Sequence, residues 1–107
     1  MTMKQIPYDE ARKLTGEVLI EFYASWCPHC QAMMPVVENV KELLGSQVPV
    51  FQYDIDRCPD AANLAGVDSV PTFIIYDNNR EMWRHTGEIS GDAILAKVDS
   101  ILESYTN

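Results

Sequence analysis

Apolar residues recur along this chain with two different periods. Val18–Tyr23 (VLIEFY) is apolar and β-branched around a single acid, the pattern of a strand buried on both faces. Met33, Val37, Val40 and Leu44 then recur at helical spacing, with Glu38, Lys41 and Glu42 on the opposite face. Pro35 lies inside that helix and is expected to kink it, because it removes a donor and crowds the preceding turn. Gly45 ends it. Val48–Ile55 (VPVFQYDI) predicts a second strand. Pro59 opens a short helix that Gly66 closes. Thr72–Tyr76 (TFIIY) predicts a third strand, Asp77–Asn79 a turn suited to left-handed asparagine, and Glu81–Thr86 a fourth strand at an edge. Ser90 caps a last amphipathic helix carrying Ile94, Leu95, Val98, Ile101 and Leu102.

The predicted order is β-α-β-α-β-β-α with a short helix in front. It implies an α/β fold with a central mixed β-sheet flanked by helices on both faces. No repeat, linker or low-complexity tract interrupts it, so residues 1–107 are expected to form one domain.

Composition narrows the function. Sixteen acidic residues against eight lysines and arginines give a formal charge of −8. Nucleic acid and anionic membranes both require a basic footprint, so neither is an expected partner. No apolar run approaches the roughly 18–20 residues of a membrane span. The N-terminus, MTMKQIPYDEARKL, lacks the apolar block of a secretory signal, and a cytoplasmic location is expected if the chain is the whole gene product. A chain trimmed of its leader reads the same.

Three cysteines are too few for a disulfide scaffold. Two of them, Cys27 and Cys30, fall three apart in SWCPHCQAM. A structural zinc site requires four ligands, and only Cys58, His29 and His85 are left to join the pair, with no second knuckle. His29, between the two thiolates, is badly placed to share a metal with both. A purely structural disulfide would close a very small loop, where little stabilisation arises. Redox chemistry fits better. The pair follows a buried strand and opens a helix, so Cys27 lies near unpaired N–H groups and the positive end of the helix dipole, which favour a thiolate. Cys30, one turn further in, is expected to be more buried. Cys27 then attacks a disulfide and Cys30 resolves the mixed disulfide.

FYASWCPHC followed by Pro35, VPT at Val70–Thr72 and Gly87 after the last strand resembles the thioredoxin family, over essentially the whole chain. The resemblance implies a thioredoxin fold, with Cys27 as nucleophile and Cys30 as resolving cysteine. It implies that Pro71 follows a cis peptide bond and leaves the Val70 backbone free to pair with an extended substrate. Trp26, Pro28, Val70 and Pro71 then form the substrate-docking rim. It implies protein disulfides as substrates and a thioredoxin-reductase-type electron donor. No cofactor beyond the cysteine pair, no metal and a monomeric state are expected.

The sequence departs from the family in three places. Pro28-His29 replaces the usual Gly-Pro and is similar to the dipeptide of disulfide-donating oxidases. A histidine cation beside Cys27 would stabilise the reduced form and raise the potential; otherwise His29 is an exposed residue of little influence. Glu21 stands where the family buries an aspartate that moves the resolving proton. Buried, it is expected to have a raised pKa and to act as general base; exposed, it is an ordinary edge acid. Gln52 replaces a lysine that often partners that aspartate. The third departure is Cys58 at a helix cap, either a regulatory thiol or a bystander. The chain is thus expected to be a protein-disulfide reductase with a raised potential. The alternatives are an oxidase or isomerase in an oxidising compartment, and a non-catalytic docking module.

Overall fold

The computed structural model describes residues 5–104. Its elements run α1 (Tyr8–Ala11), β1 (Glu17–Tyr23), α2 (Pro28–Leu44), β2 (Val50–Asp54), α3 (Pro59–Ala65), β3 (Thr72–Asp77), β4 (Arg80–Thr86) and α4 (Gly91–Glu103). This is the order that the patterning predicts. The four strands form one mixed sheet, β2-β1-β3-β4, with β1 parallel to β2 and antiparallel to β3, and β4 antiparallel to β3.

β1 is central, and side chains alternate across it. Val18, Ile20 and Phe22 point to the face covered by Tyr8 and Ala11 of α1 and by Ala62 and Ala65 of α3. Leu19 points to the other face, against Met33, Val37, Val40 and Leu44 of α2 and Ile94 and Val98 of α4. Glu21, two residues on from Leu19, therefore belongs to the face that α2 covers. Both faces of the sheet are closed by helices, as expected.

Five strand ends differ from the sequence reading by one or two residues, β1 starting at Glu17 rather than Val18. The second strand begins at Val50, not Val48, and ends at Asp54. Pro49 has no N–H to give a ladder, and only its carbonyl joins the sheet, accepting from Leu19 N at 3.0 Å. β3 reaches Asp77 and β4 starts at Arg80, so the turn contracts to Asn78 and Asn79. Both have positive φ, 50° and 68°, and the Asn78 side chain accepts the Gly16 N–H at 2.9 Å. α2 runs without a break through Pro35. Ser90 caps α4 as expected, its Oγ accepting the Ala93 N–H at 3.1 Å.

Candidate active site

β1 ends at Tyr23 and the chain turns directly into α2, which brings the cysteine pair to the carboxyl edge of the sheet. Cys27 is the N-cap of α2, with extended backbone, and its Sγ accepts the Cys30 N–H at 3.3 Å. Pro28 takes the first helical position, where a missing N–H leaves no bond unmade. Cys30 lies one turn further in and is packed with Ala24, Tyr23, Ile55 and Val70. Both are free thiols, and both are buried.

Their environments push the two thiols in opposite directions. The hydrogen bond from the Cys30 side chain lowers the pKa of Cys27; burial opposes this, and the backbone N–H groups of Cys30 and His29 reinforce it. Burial pushes Cys30 up to about 12, and the bond to Cys27 acts in the same sense. One sulfur is thus favoured as thiolate and the other is held as thiol.

The remaining predicted residues gather around this pair to different degrees. The Val70–Pro71 peptide bond is cis, and the Val70 carbonyl accepts a long hydrogen bond from Cys27 Sγ at 3.7 Å. Trp26 stands on the rim, 63% exposed, with its Nε1 donating to Asp56 Oδ2 at 2.8 Å. The His29 ring lies on the surface, its Nδ1 hydrogen-bonded to Glu88 Oε2 at 2.6 Å. Its imidazole is engaged by Glu88, while its backbone N–H acts on Cys27.

Glu21 is 3% exposed, which excludes the reading of an ordinary edge acid. Burial raises its pKa to about 7, against the opposing effects of a hydrogen bond from Gln52 and of the Lys41 charge. Gln52 is its register partner on β2 and donates Nε2 to Glu21 Oε1 at 2.9 Å. The Gln52 Oε1 in turn accepts from Lys41 Nζ at 3.2 Å. The Glu21 charge raises the pKa of both Cys27 and Cys30, which ties the carboxyl electrostatically to the pair.

Cys58 caps α3 without a side-chain cap bond and packs half-buried against the α1 and α3 face of the core, which shares Ile55 and Val70 with the Cys27–Cys30 cluster. Among the described residues no group of three or more His, Cys, Asp or Glu side chains is arranged to hold a metal. No described helix is long and apolar enough to cross a membrane.

Sequence reasoning missed Asp56, Glu88 and Lys41 as neighbours of site residues. Asp56 and Glu88 reach the site from loops after β2 and β4, and nothing local marks them. Lys41 sits eleven residues from Cys30 on a face read only as polar. Its signal was the missing counter-charge for Glu21, which the sequence located at Gln52 but did not trace to α2.

The thioredoxin family model matches residues 3–100. Thioredoxin Y, chloroplastic, of Oryza sativa subsp. japonica is 35% identical over 97 residues, covering 90% of this chain, and this chain spans only 58% of that protein's length. A thioredoxin of Alicyclobacillus acidocaldarius is 27% identical over 103 residues, covering 96% of this chain and 98% of its own. The structure of a mutant thioredoxin from Halobacterium salinarum superposes with a TM-score of 0.78 at 29% identity, over 92% of this chain and 86% of that one. Family match, relatives and sheet topology agree, and the chain belongs to the thioredoxin family.

Proposed function

We propose that this protein is a thiol–disulfide oxidoreductase that reduces protein disulfides with the Cys27–Cys30 dithiol. The observation that carries this reading is the asymmetry of the pair: Cys27 caps a helix and is favoured as thiolate, while Cys30 behind it is held as thiol. That is the division of labour the reaction requires.

The Cys27 thiolate attacks one sulfur of a substrate disulfide. A Cys27–substrate S–S bond forms, the substrate S–S bond breaks, and the departing thiolate takes a proton from water. Cys30 then gives its proton to the Glu21 carboxylate and attacks the Cys27 sulfur. The Cys27–Cys30 disulfide forms, the mixed disulfide breaks, and the second substrate thiolate leaves and is protonated. Two electrons pass to the substrate. A thioredoxin-reductase-type dithiol donor returns two electrons to the disulfide, and Glu21 releases its proton in that half of the cycle.

Trp26, Pro28, Val70 and Pro71 form the apolar rim that meets an extended substrate segment. Exposed Trp26 and the Val70 carbonyl beside Cys27 support that assignment. His29 adjusts the potential of the couple upward. The pair itself is the redox group, no metal takes part, and the protein works as a monomer in a reducing compartment such as the cytoplasm. The small number of cysteines supports this placement.

The test is trapping. Cys30→Ser should accumulate a mixed disulfide on Cys27 with a reducible protein such as insulin, visible by mass spectrometry, and Cys27→Ser should trap nothing. Both variants should lose turnover by a factor of about 10³ or more, as when a nucleophile acting as part of a unit is removed. Trapping at Cys30 in preference to Cys27 would reverse the roles. Full function with both cysteines replaced would favour the docking module.

A further inference from the structure

Among the described residues, the one basic group coupled to Glu21 reaches it from a different element and through a neutral intermediary. Lys41 lies in the last turn of α2, Gln52 on β2 and Glu21 on β1. Their side chains form a chain: Lys41 Nζ to Gln52 Oε1 at 3.2 Å, and Gln52 Nε2 to Glu21 Oε1 at 2.9 Å. Among the described residues Lys41 forms no ion pair; the four present involve Arg12, Lys13, His29 and Arg84.

A primary amide has one accepting end and one donating end. An ammonium can only donate, so Lys41 fixes the amide with its oxygen toward α2. The NH₂ group then faces Glu21 and can be accepted only by a carboxyl oxygen, an arrangement that favours the ionised acid. Without the ammonium, the amide is free to turn over and accept a proton from a neutral Glu21 instead. The charge of Lys41 is therefore transmitted as an orientation as well as a field.

We propose that Lys41 is a positioning residue for the resolving step: through the side-chain amide of Gln52 it holds Glu21 in the carboxylate form that takes the Cys30 proton. The proposal rests on the reading of Glu21 as proton acceptor for Cys30. Among the described residues, the titratable and charged groups that act with Glu21 are Lys41 from α2, the two cysteines at the start of that helix, and Tyr23 at the end of β1, while Phe73 faces it from β3. Of these only Lys41 favours the ionised carboxyl. A lysine near a helix C-terminus also complements the helix dipole, so a loss of stability in a Lys41 variant would not by itself identify the relay.

The experiment follows the Glu21 carboxyl directly by ¹³C NMR titration of the reduced protein, alongside the pH profile of insulin reduction. Wild type, Lys41→Met, Lys41→Arg and Gln52→Leu are compared. Lys41→Met and Gln52→Leu should move the Glu21 midpoint upward by about half to one unit. They should carry the acid limb of the rate profile with it, which lowers the rate at pH 7 by about two- to fivefold. Lys41→Arg should restore both, since its guanidinium also donates to the amide. An unmoved Glu21 midpoint in folded Lys41→Met would overturn the relay. Glu21→Gln separates the two levels. If that variant keeps the wild-type profile while Lys41→Met still moves the Glu21 midpoint, the relay stands and the proton-acceptor reading fails.

Discussion

His29 shows most clearly how a neighbour changes what a side chain does. Its imidazole is bound to Glu88 Oε2 at 2.6 Å, so the proposed influence of the His29 ring on Cys27 is set against a carboxylate. Both side chains are well exposed, and an exposed pair couples by only about 0.2–1 kcal/mol. Replacing Glu88 by Gln removes a negative charge from the rim and leaves the thiolate form of the pair better favoured. The Cys27–Cys30 reduction potential should rise by about 5–20 mV, read by equilibration in glutathione buffers. A fall in potential would mean that Glu88 acts otherwise than as a charge on the rim. The residues that touch the sulfurs were legible in the sequence because WCPHC and VPT name them. Glu88 and Asp56 were not, because loop residues acquire their partners only when the sheet brings loop ends together.

At the scale of elements, the sequence was legible wherever burial enforces a period. β1 is buried along nearly its whole length, and its apolar run predicted it with a boundary shift of one residue. α2 and α4 declared themselves by stripes that pack on one another across the Leu19 face. β2 was overrun at both ends, since the apolar run VPVFQYDI does not reveal that Pro49 cannot donate to a ladder. The Lys41–Gln52–Glu21 chain depends on three elements packing in one register: Gln52 faces Glu21 because β1 and β2 pair in parallel at that step. Lys41 meets Gln52, and through it acts on Glu21, because α2 lies over that edge of the face. A pattern of apolar residues specifies that a face is covered; it does not specify which polar residue stands at its margin.

Across the molecule the two sheet ends carry buried carboxyls with different settings. Glu21 near the cysteines has a donor. Glu17, at the opposite end of β1, is 5% exposed, and neither carboxyl oxygen has a hydrogen-bond partner among the described residues. It stands opposite Asp77 in the β1–β3 register. Burial raises its pKa to about 7, and the charges of Asp77 and Asp99 add to the rise. A folded-state value above the unfolded one means that Glu17 favours folding while it is protonated, below the unfolded value of about 4.3. That contribution is lost as pH climbs through 7. Glu21 contributes with the same sign. Glu17→Gln should therefore be neutral near pH 4 and stabilise the protein by roughly 1–3 kcal/mol at pH 8, measured by urea unfolding at both pH values. Equal effects at the two pH values would remove ionisation as the cause.

The central claim is that one fold edge holds two thiols in opposite states, and site-resolved alkylation tests it most directly. The reduced protein is treated with iodoacetamide across pH, and each cysteine is followed by peptide mass. Cys27 should react first, with a midpoint below that of an ordinary thiol, while Cys30 stays protected until the solution approaches pH 12. If the two cysteines react in parallel, or if Cys30 reacts first, the asymmetry on which the mechanism depends does not exist.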